Sequence, residues 1–388
     1  MRITGISVYN LTANGKDHYA RHGGRLLGLE MIPGMGHDQY KQRWEIKERS
    51  IHQVMKVFTN EGIEGVCTVD TGVYGPMSKE DVVQLNHLVV GENPLHRERL
   101  YHKLHTGTRW IYAYPGWFGS FDNCLWDILG KVSGLPLYEI FGHVREKMPA
   151  YQNIGGETKE EAAEDAKRAV SEGFLGIKDH FYHPVLENIK WFEAIREAVG
   201  PDIDIMHDAV GIYSLPQAIR IGRVLETLDY RWFEEPLPER IHVNMKSLCE
   251  NLDIPILAPE MIMNDIDLCA QWLISGATDM IRANARHGTT AVLKLAHLAE
   301  LYGTTIELNG DGGLFGLVHS HLLCSISNTS YYEYFDGTNE RFGSELGMTN
   351  PVQPINGYVT PPDAPGWGAE WDEDYFNKIT VSVIQCSE

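Results

Sequence analysis

Three acidic residues, Asp208, Glu234 and Glu260, stand 26 residues apart, each just after a short apolar run: IDIM before His207-Asp208, YRWF before Glu234, IPILAP before Glu260. A helix-length segment follows each. The interval matches one strand, one helix and two short loops, the unit repeated eight times in a barrel of roughly 250 residues. The beat continues on both sides. FLGIK delivers Lys178, Asp179 and His180; ATDMIRA delivers Asn284, 24 residues after Glu260; GTTIEL delivers Asn309, 25 further on; SYY delivers Glu333, 24 beyond that. PAYQN at 149–153 supplies a first strand, so eight are legible. Strands alternating with helices give a parallel sheet. Closed on itself, it is the α/β fold of a (β/α)8 TIM-type barrel, with its active site where the strands end. The three carboxylates then stand side by side at that end. They repel one another unless a cation lies between them, and an all-oxygen set without Cys or His suits Mg²⁺.

The chain of 388 residues leaves room for a second domain beside such a barrel. It carries 53 acidic against 33 basic residues, a net charge of −20. That balance argues against nucleic-acid or anionic-membrane binding, which needs basic patches. It does not exclude an anionic substrate, because charge at a metal site can differ in sign from the whole. The six cysteines are scattered without a C-x-x-C, as in a reduced cytoplasmic protein. MRITGISVYN reads as a first strand, not a signal peptide, and no apolar run reaches the roughly 20 residues that cross a bilayer. A homo-oligomer is the expected assembly.

Residues 1–125 read as an N-terminal α+β capping domain, 126–335 as the barrel, and 336–388 as a C-terminal segment that returns to the cap. SIHQVMKVFTNEGIEGVCTV looks like a strand, a turn and a strand. Ser78 with Asp81 fits a capping box. FGSFDNCLWDILGKVSG reads as a buried helix ended at Gly134. FNKITVSVIQ reads as a last strand that pairs with the cap, since a lone terminal strand would expose its edge. Residues 14–45, rich in Gly, His and Arg, suit a lid over the barrel mouth. His18, Arg21, His22 and Arg25 there are placed to grip a polyhydroxy acid. Trp110, Tyr112, Tyr114 and Trp117 would line a sugar pocket or belong to the core.

These features together resemble the enolase superfamily, in its mandelate racemase/muconate lactonizing branch. NEGIEGVCTV stands in place of that family's glycine-rich hairpin, FDNCLWDILGKVSGLPLYEIFG is similar to its long D-x-A-L-W-D helix, and WFEEPL is similar to its fourth-strand I-E-E-P signature. The resemblance covers essentially the whole chain. It implies one Mg²⁺ on Asp208, Glu234 and Glu260, the first Glu of the E-E pair being the ligand. It implies a carboxylate substrate whose alpha proton is removed, with metal stabilisation of the resulting enediolate.

Two departures shape the expected chemistry. The family's second-strand K-x-K is Lys178-Asp179-His180 here. Residues two apart on a strand face the same way, so both Lys178 and His180 face the site. The cations around it should keep His180 neutral, as a base near pH 7 requires, while Lys178 binds the substrate carboxylate. A metal pair of His180 with His183 is the rival reading. The racemase-type Asp and His of strands six and seven are Asn284 and Asn309, which exchange no proton at neutral pH and suit hydrogen bonds to sugar hydroxyls. Arg282 and Arg286 flank Asn284. Tyr213, His287 and Asp311 remain candidate substitute acids, with His287 also a substrate contact. Glu333, at the eighth strand, is expected as a protonated donor if burial raises its pKa. Beta-elimination of water from a sugar acid, with His180 as base, survives these departures best. An epimerase or lactone cycloisomerase, or a barrel that binds metal and sugar acid without catalysis, are the alternatives.

Overall fold

In the computed structural model, which describes residues 1–12, 51–69, 75–107, 116–310 and 312–386, the chain forms a small antiparallel sheet and a barrel of parallel strands. The sheet holds β1 (Ile3–Thr12), β2 (Ile51–Thr59), β3 (Glu64–Val69) and the last strand of the chain, in the order last strand, β1, β2, β3. Helices α1 (Lys79–Val89), α2 (Arg97–Gly107), α3 (Trp117–Ser133) and α4 (Leu137–Phe141) follow. The Ser78 hydroxyl accepts from Asp81 N at 3.2 Å while Ser78 N donates back to the Asp81 carboxylate at 2.8 Å, so α1 begins on the expected capping box. Gly134 ends α3 in the left-handed conformation (φ 69°), which only glycine adopts without strain.

Eight parallel strands come next, in step with the sequence beat: β4 (Met148–Ile154), β5 (Gly176–Asp179), β6 (Asp204–Asp208), β7 (Trp232–Glu234), β8 (Ile256–Ala258), β9 (Met280–Ala283), β10 (Ile306–Leu308) and β11 (Tyr332–Tyr334). Helices α5 (Lys159–Ser171), α6 (Val185–Val199), α7 (Leu215–Thr227), α8 (His242–Asn251), α9 (Ile266–Ser275), α10 (Thr289–Leu301), α11 (Gly313–Ser325) and α12 (Thr338–Glu345) follow them in turn. Pairing runs from β10 back to β4 and then to β11, so the sheet curls round. Between β10 and β11 the described residues form no ladder; Ile306 N donates to Asn328 O at 2.9 Å across that seam.

Alternation along each strand decides what faces inward. Ile177, Ile205, Phe233, Ile256 and Ile281 pack outward into the helix layer. Tyr151, Met206, Trp232, Leu257, Met280 and Tyr331 fill the barrel interior as a separate cluster. The next inward positions toward the strand ends are Lys178, Asp208, Glu234, Arg282 and Glu333, all buried.

The C-terminal segment adds β12 (Tyr358–Val359), α13 (Glu373–Ile379) and β13 (Thr380–Gln385). As expected, β13 completes the cap sheet, pairing antiparallel with β1. The residues Phe376 to Ile379, expected as strand, are helical instead, because Asp372 caps α13 by accepting from Tyr375 N at 2.9 Å. A boundary at 125/126 would cut α3, which belongs to both parts. Asp127 accepts from Val66 N of the cap sheet and from Trp367 N of the tail. Asn123 and Asp122 accept from the first residues of α10, Thr289 and Thr290. A Cβ on Gly119 would lie 2.1 Å from Arg286 O, so only glycine lets α3 approach so closely. Among the described residues no helix is long and apolar enough to cross a membrane.

His321 of α11 joins the three parts: its Nδ1 accepts from Tyr138 N at 3.1 Å, and its Nε2 donates to Trp367 O at 3.2 Å. Burial lowers its pKa to about 4. The unfolded imidazole, near 6.5, binds a proton first, so stability contributed above that pH is lost as pH falls toward 4. Urea unfolding at pH 5 against pH 7 should show a loss of about 2 kcal/mol from this group alone. A His321→Gln variant should lose that part of the pH dependence.

Candidate active site

The strand ends converge on two side-chain cations among four carboxylates. Lys178 Nζ lies 3.2 Å from Asp208 Oδ2, 3.1 Å from Glu234 Oε2 and 2.5 Å from Glu333 Oε1. Arg282 Nη2 donates to Glu234 Oε1 at 2.7 Å and to Glu333 Oε2 at 2.6 Å, and its Nε donates to Glu260 Oε2 at 3.3 Å. Trp232 Nε1 donates to Glu234 Oε2 at 3.2 Å, and Val210 N to Asp208 Oδ1 at 3.0 Å. The β6–β7 register pairs Asp208 directly with Glu234. Glu260 lies past the end of β8, where Glu239 accepts from both Glu260 N and Met261 N and fixes the turn.

The electrostatics follow from burial without full compensation. Asp208 loses solvation, which favours its neutral form, but Lys178 and His180 outweigh this and hold it ionised. Glu234 is pushed up to about 7, first by burial and then by Asp208 and Glu333, against Arg282 and Lys178. With all four carboxylates ionised and His180 neutral, two permanent cations leave an excess of two negative charges. One divalent cation would neutralise that excess, and a hard ion prefers such all-oxygen donors. As the side chains stand, no three His, Cys, Asp or Glu groups among the described residues enclose an ion; Lys178 and Arg282 occupy the space between the carboxylates.

The expected site residues fare differently. Asp208, Glu234, Lys178, His180 and Glu333 meet in one cluster, and Glu260 joins it through Arg282 and Asn309. His180 is 24% exposed toward the mouth, with Nε2 3.1 Å from Asp208 Oδ2. Burial works against its charged form, but Asp208 outweighs burial and raises its pKa, where the sequence suggested a neutral ring. Glu333 corrects a second expectation. Burial alone would favour its protonated form, yet Lys178 and Arg282 hold it ionised, and Gly310 N also donates to it. It is an acceptor here, not an acid. Arg282, expected at the substrate, is fully buried and serves as counter-ion to the carboxylates. Asn284 and Asn309 bond to each other at 3.0 Å, and Asn309 Nδ2 donates to Glu260 Oε2 at 2.9 Å.

Tyr213 faces away from the mouth. Its hydroxyl accepts from Asn188 Nδ2 at 2.6 Å and lies 3.2 Å from His207 Nε2, and burial raises its pKa. His183 packs its ring on Trp191, with centroids 4.3 Å apart. His287 lines a small cavity with Tyr101, Phe118 and Met263, where burial and Arg286 hold its imidazole neutral. Trp117 is buried in the core. His18, Arg21, His22, Arg25, Trp110, Tyr112, Tyr114 and Asp311 lie outside the described residues, as does the lid segment 14–45.

Two contributors escaped the sequence reading. Asn153 of β4 donates to Glu333 Oε1 at 3.2 Å; its place two residues past Tyr151 on the same inward face was the available signal. Behind the site, His207 Nδ1 lies 2.6 Å from Asp179 Oδ1, both fully buried and directly opposed in the β5–β6 register. This pair ties together the strand ends that present Lys178, His180 and Asp208.

A family model described as enolase C-terminal domain-like matches residues 161–375. The chain belongs to the enolase superfamily. A D-mannonate dehydratase of a Caulobacter species is 24% identical over 367 residues, covering 82% of this chain and 89% of that protein. A D-galactonate dehydratase family member of Enterococcus gallinarum is 27% identical over 357 residues, covering 82% and 87%. The solved structure of D-glucarate dehydratase from Agrobacterium tumefaciens, complexed with magnesium, superposes with a TM-score of 0.78 at 28% identity, covering 98% of this chain and 100% of that one.

The ion pairs predict the cost of opening this cluster. Arg282→Met leaves Glu234 and Glu333 with Lys178 as their remaining cation, and breaking a buried pair costs about 3–5 kcal/mol. Urea unfolding in EDTA should show a loss of that size. An unchanged midpoint would mean that Arg282 does not compensate the carboxylates.

Proposed function

We propose that this protein is a Mg²⁺-dependent sugar-acid dehydratase with His180 as its base. The observation that carries the reading is the division of labour at the second strand. Lys178 is fully buried and committed to three carboxylates, while His180, two residues on, reaches the open mouth beside Asp208. The charge excess on the surrounding carboxylates fits one divalent cation, with Asp208, Glu234 and Glu260 as its holders. The D-mannonate dehydratase and D-glucarate dehydratase among the similar proteins support a sugar acid as the substrate class.

A bound Mg²⁺ would supply Lewis-acid stabilisation to the negative charge that develops on a substrate carboxylate. The chain's own residues do the rest. His180 Nε2 takes the proton alpha to the carboxylate; a cation held by Asp208 would weaken the pull of that carboxylate on the imidazole and favour the neutral form this needs. Lys178 holds Asp208 and Glu234 at fixed spacing throughout. The electrons of the broken C–H bond form the C=C bond as the beta C–O bond breaks. The departing hydroxyl takes the proton from His180 and leaves as water. The enol then tautomerises to a 2-keto-3-deoxy acid. Asn284 and Asn309 neither give nor take a proton, so one base serves both steps.

His180→Asn should keep Mg²⁺ binding but lose at least about 10²-fold in turnover, as for a lost general base, and lose alpha-proton exchange in deuterated water. If Lys178→Met stops exchange while His180→Asn does not, Lys178 is the base. Glu234→Gln should weaken Mg²⁺ binding in calorimetry and abolish turnover. Full activity of that variant after EDTA treatment would remove Glu234 from the ligand set.

A further inference from the structure

The wall of the mouth built by strands six and seven carries a hydrogen-bond chain whose polarity can be read without ambiguity. Arg286 Nη2 donates to Asn309 Oδ1 at 2.8 Å, and Asn284 Nδ2 donates to the same oxygen at 3.0 Å. Asn309 Nδ2 donates to Glu260 Oε2 at 2.9 Å. Asn284 is itself fixed, because its Oδ1 accepts from Arg286 N at 2.8 Å. A guanidinium has no acceptor and a carboxylate has no donor. The usual doubt over which end of an amide is oxygen is therefore resolved at both ends of Asn309. Turning its amide over would set NH₂ against two donors and C=O against a carboxylate. Asn309 is partly exposed, and its second amide hydrogen meets no acceptor among the described residues.

We propose that Asn309 is a fixed hydrogen-bond donor to the bound substrate, held in that one orientation by Arg286. The inference rests on the reading of this mouth as a metal-dependent site for hydroxy acids. The group it meets is an oxygen acceptor of the substrate, a carboxylate oxygen or a hydroxyl lone pair. Asn309 is the specificity-determining contact. Arg286 acts through it and is a positioning residue, buried within the 3₁₀ turn Ala285–His287. Since neither amide titrates, this wall orients the substrate and leaves proton transfer to the strand that carries His180.

The test uses the full chain with Mg²⁺ and oxalate, a planar dianion shaped like a deprotonated 2-hydroxy acid, followed by calorimetry. Loss of one buried hydrogen bond predicts that Asn309→Leu weakens oxalate binding about tenfold. Mg²⁺ affinity measured without oxalate should move less than the oxalate affinity. Arg286→Met should also weaken oxalate, by about fivefold through loss of orientation, and Arg286→Lys should recover part of it. If Asn309→Leu does not fold, the two Arg286 variants decide. Wild-type oxalate affinity in all the variants would overturn the inference and leave the metal-site reading intact. So would equal losses of Mg²⁺ and oxalate affinity, which would make Asn309 a support for Glu260 alone. Failure of the Mg²⁺-loaded wild type to bind oxalate would sink the metal-site reading itself, and the inference with it.

Discussion

Mutual repulsion of buried carboxylates at the barrel mouth is the constraint that the other features answer. Glu234 and Glu333 have no exposed side-chain surface, and Asp208 has almost none. An uncompensated ion there would cost several kcal/mol. Lys178, from the second strand, reaches the third, fourth and eighth. Arg282, from the sixth, reaches the fourth, fifth and eighth. These two side chains therefore hold the strand ends in register as well as balancing charge. Between β10 and β11 the described residues form no ladder. There the Gly310–Glu333 hydrogen bond adds to the Ile306–Asn328 backbone bond, and the Arg282–Glu333 ion pair reaches β11 from β9.

The compensation is incomplete, and the shortfall is the chemically useful part. The charge left over from the two internal cations would attract a divalent ion, and burial together with that charge raises the Glu234 pKa. The same neighbours produce opposite results on either side. Asp208 and Glu333 stay ionised because their cations outweigh burial, while at Glu234 burial, reinforced by both anions, outweighs Arg282 and Lys178. Site carboxylates of one chemical type thus differ in protonation tendency through position alone.

The periodic spacing made the barrel, its eight strand ends and the three carboxylates legible, because strand and helix lengths are set by backbone geometry. The cap hairpin and the Ser78 capping box were legible for the same local reason. Partner choice was not. Alternation shows that Arg282 and Asn284 share a face, but it does not show that Arg282 turns down among the carboxylates while Asn284 turns toward Asn309. Glu333 was read from burial, which favours the neutral acid; only the positions of Lys178 and Arg282 show that coulombic pairing wins. The Asp179–His207 pair was hidden because its members sit on two strands, 28 residues apart in the chain. Tyr213 had the right chemistry for an acid, but its direction depends on Asn188 of α6.

Helix α3 has a mechanical consequence for ligand traffic. Its Gly119 and Gly130 bring it into backbone contact with the strand-six turn and with the C-terminal segment, so the interface has no slack. Asp122 and Asn123 bind the start of α10 while Asp127 binds the cap sheet and the tail. Rotation of the cap against the barrel would break all of these bonds together. Among the described residues the two parts therefore share no hinge about which the cap could open like a door. The framework that holds Lys178, Arg282 and the carboxylates is thereby joined through α3 to both the cap sheet and the tail.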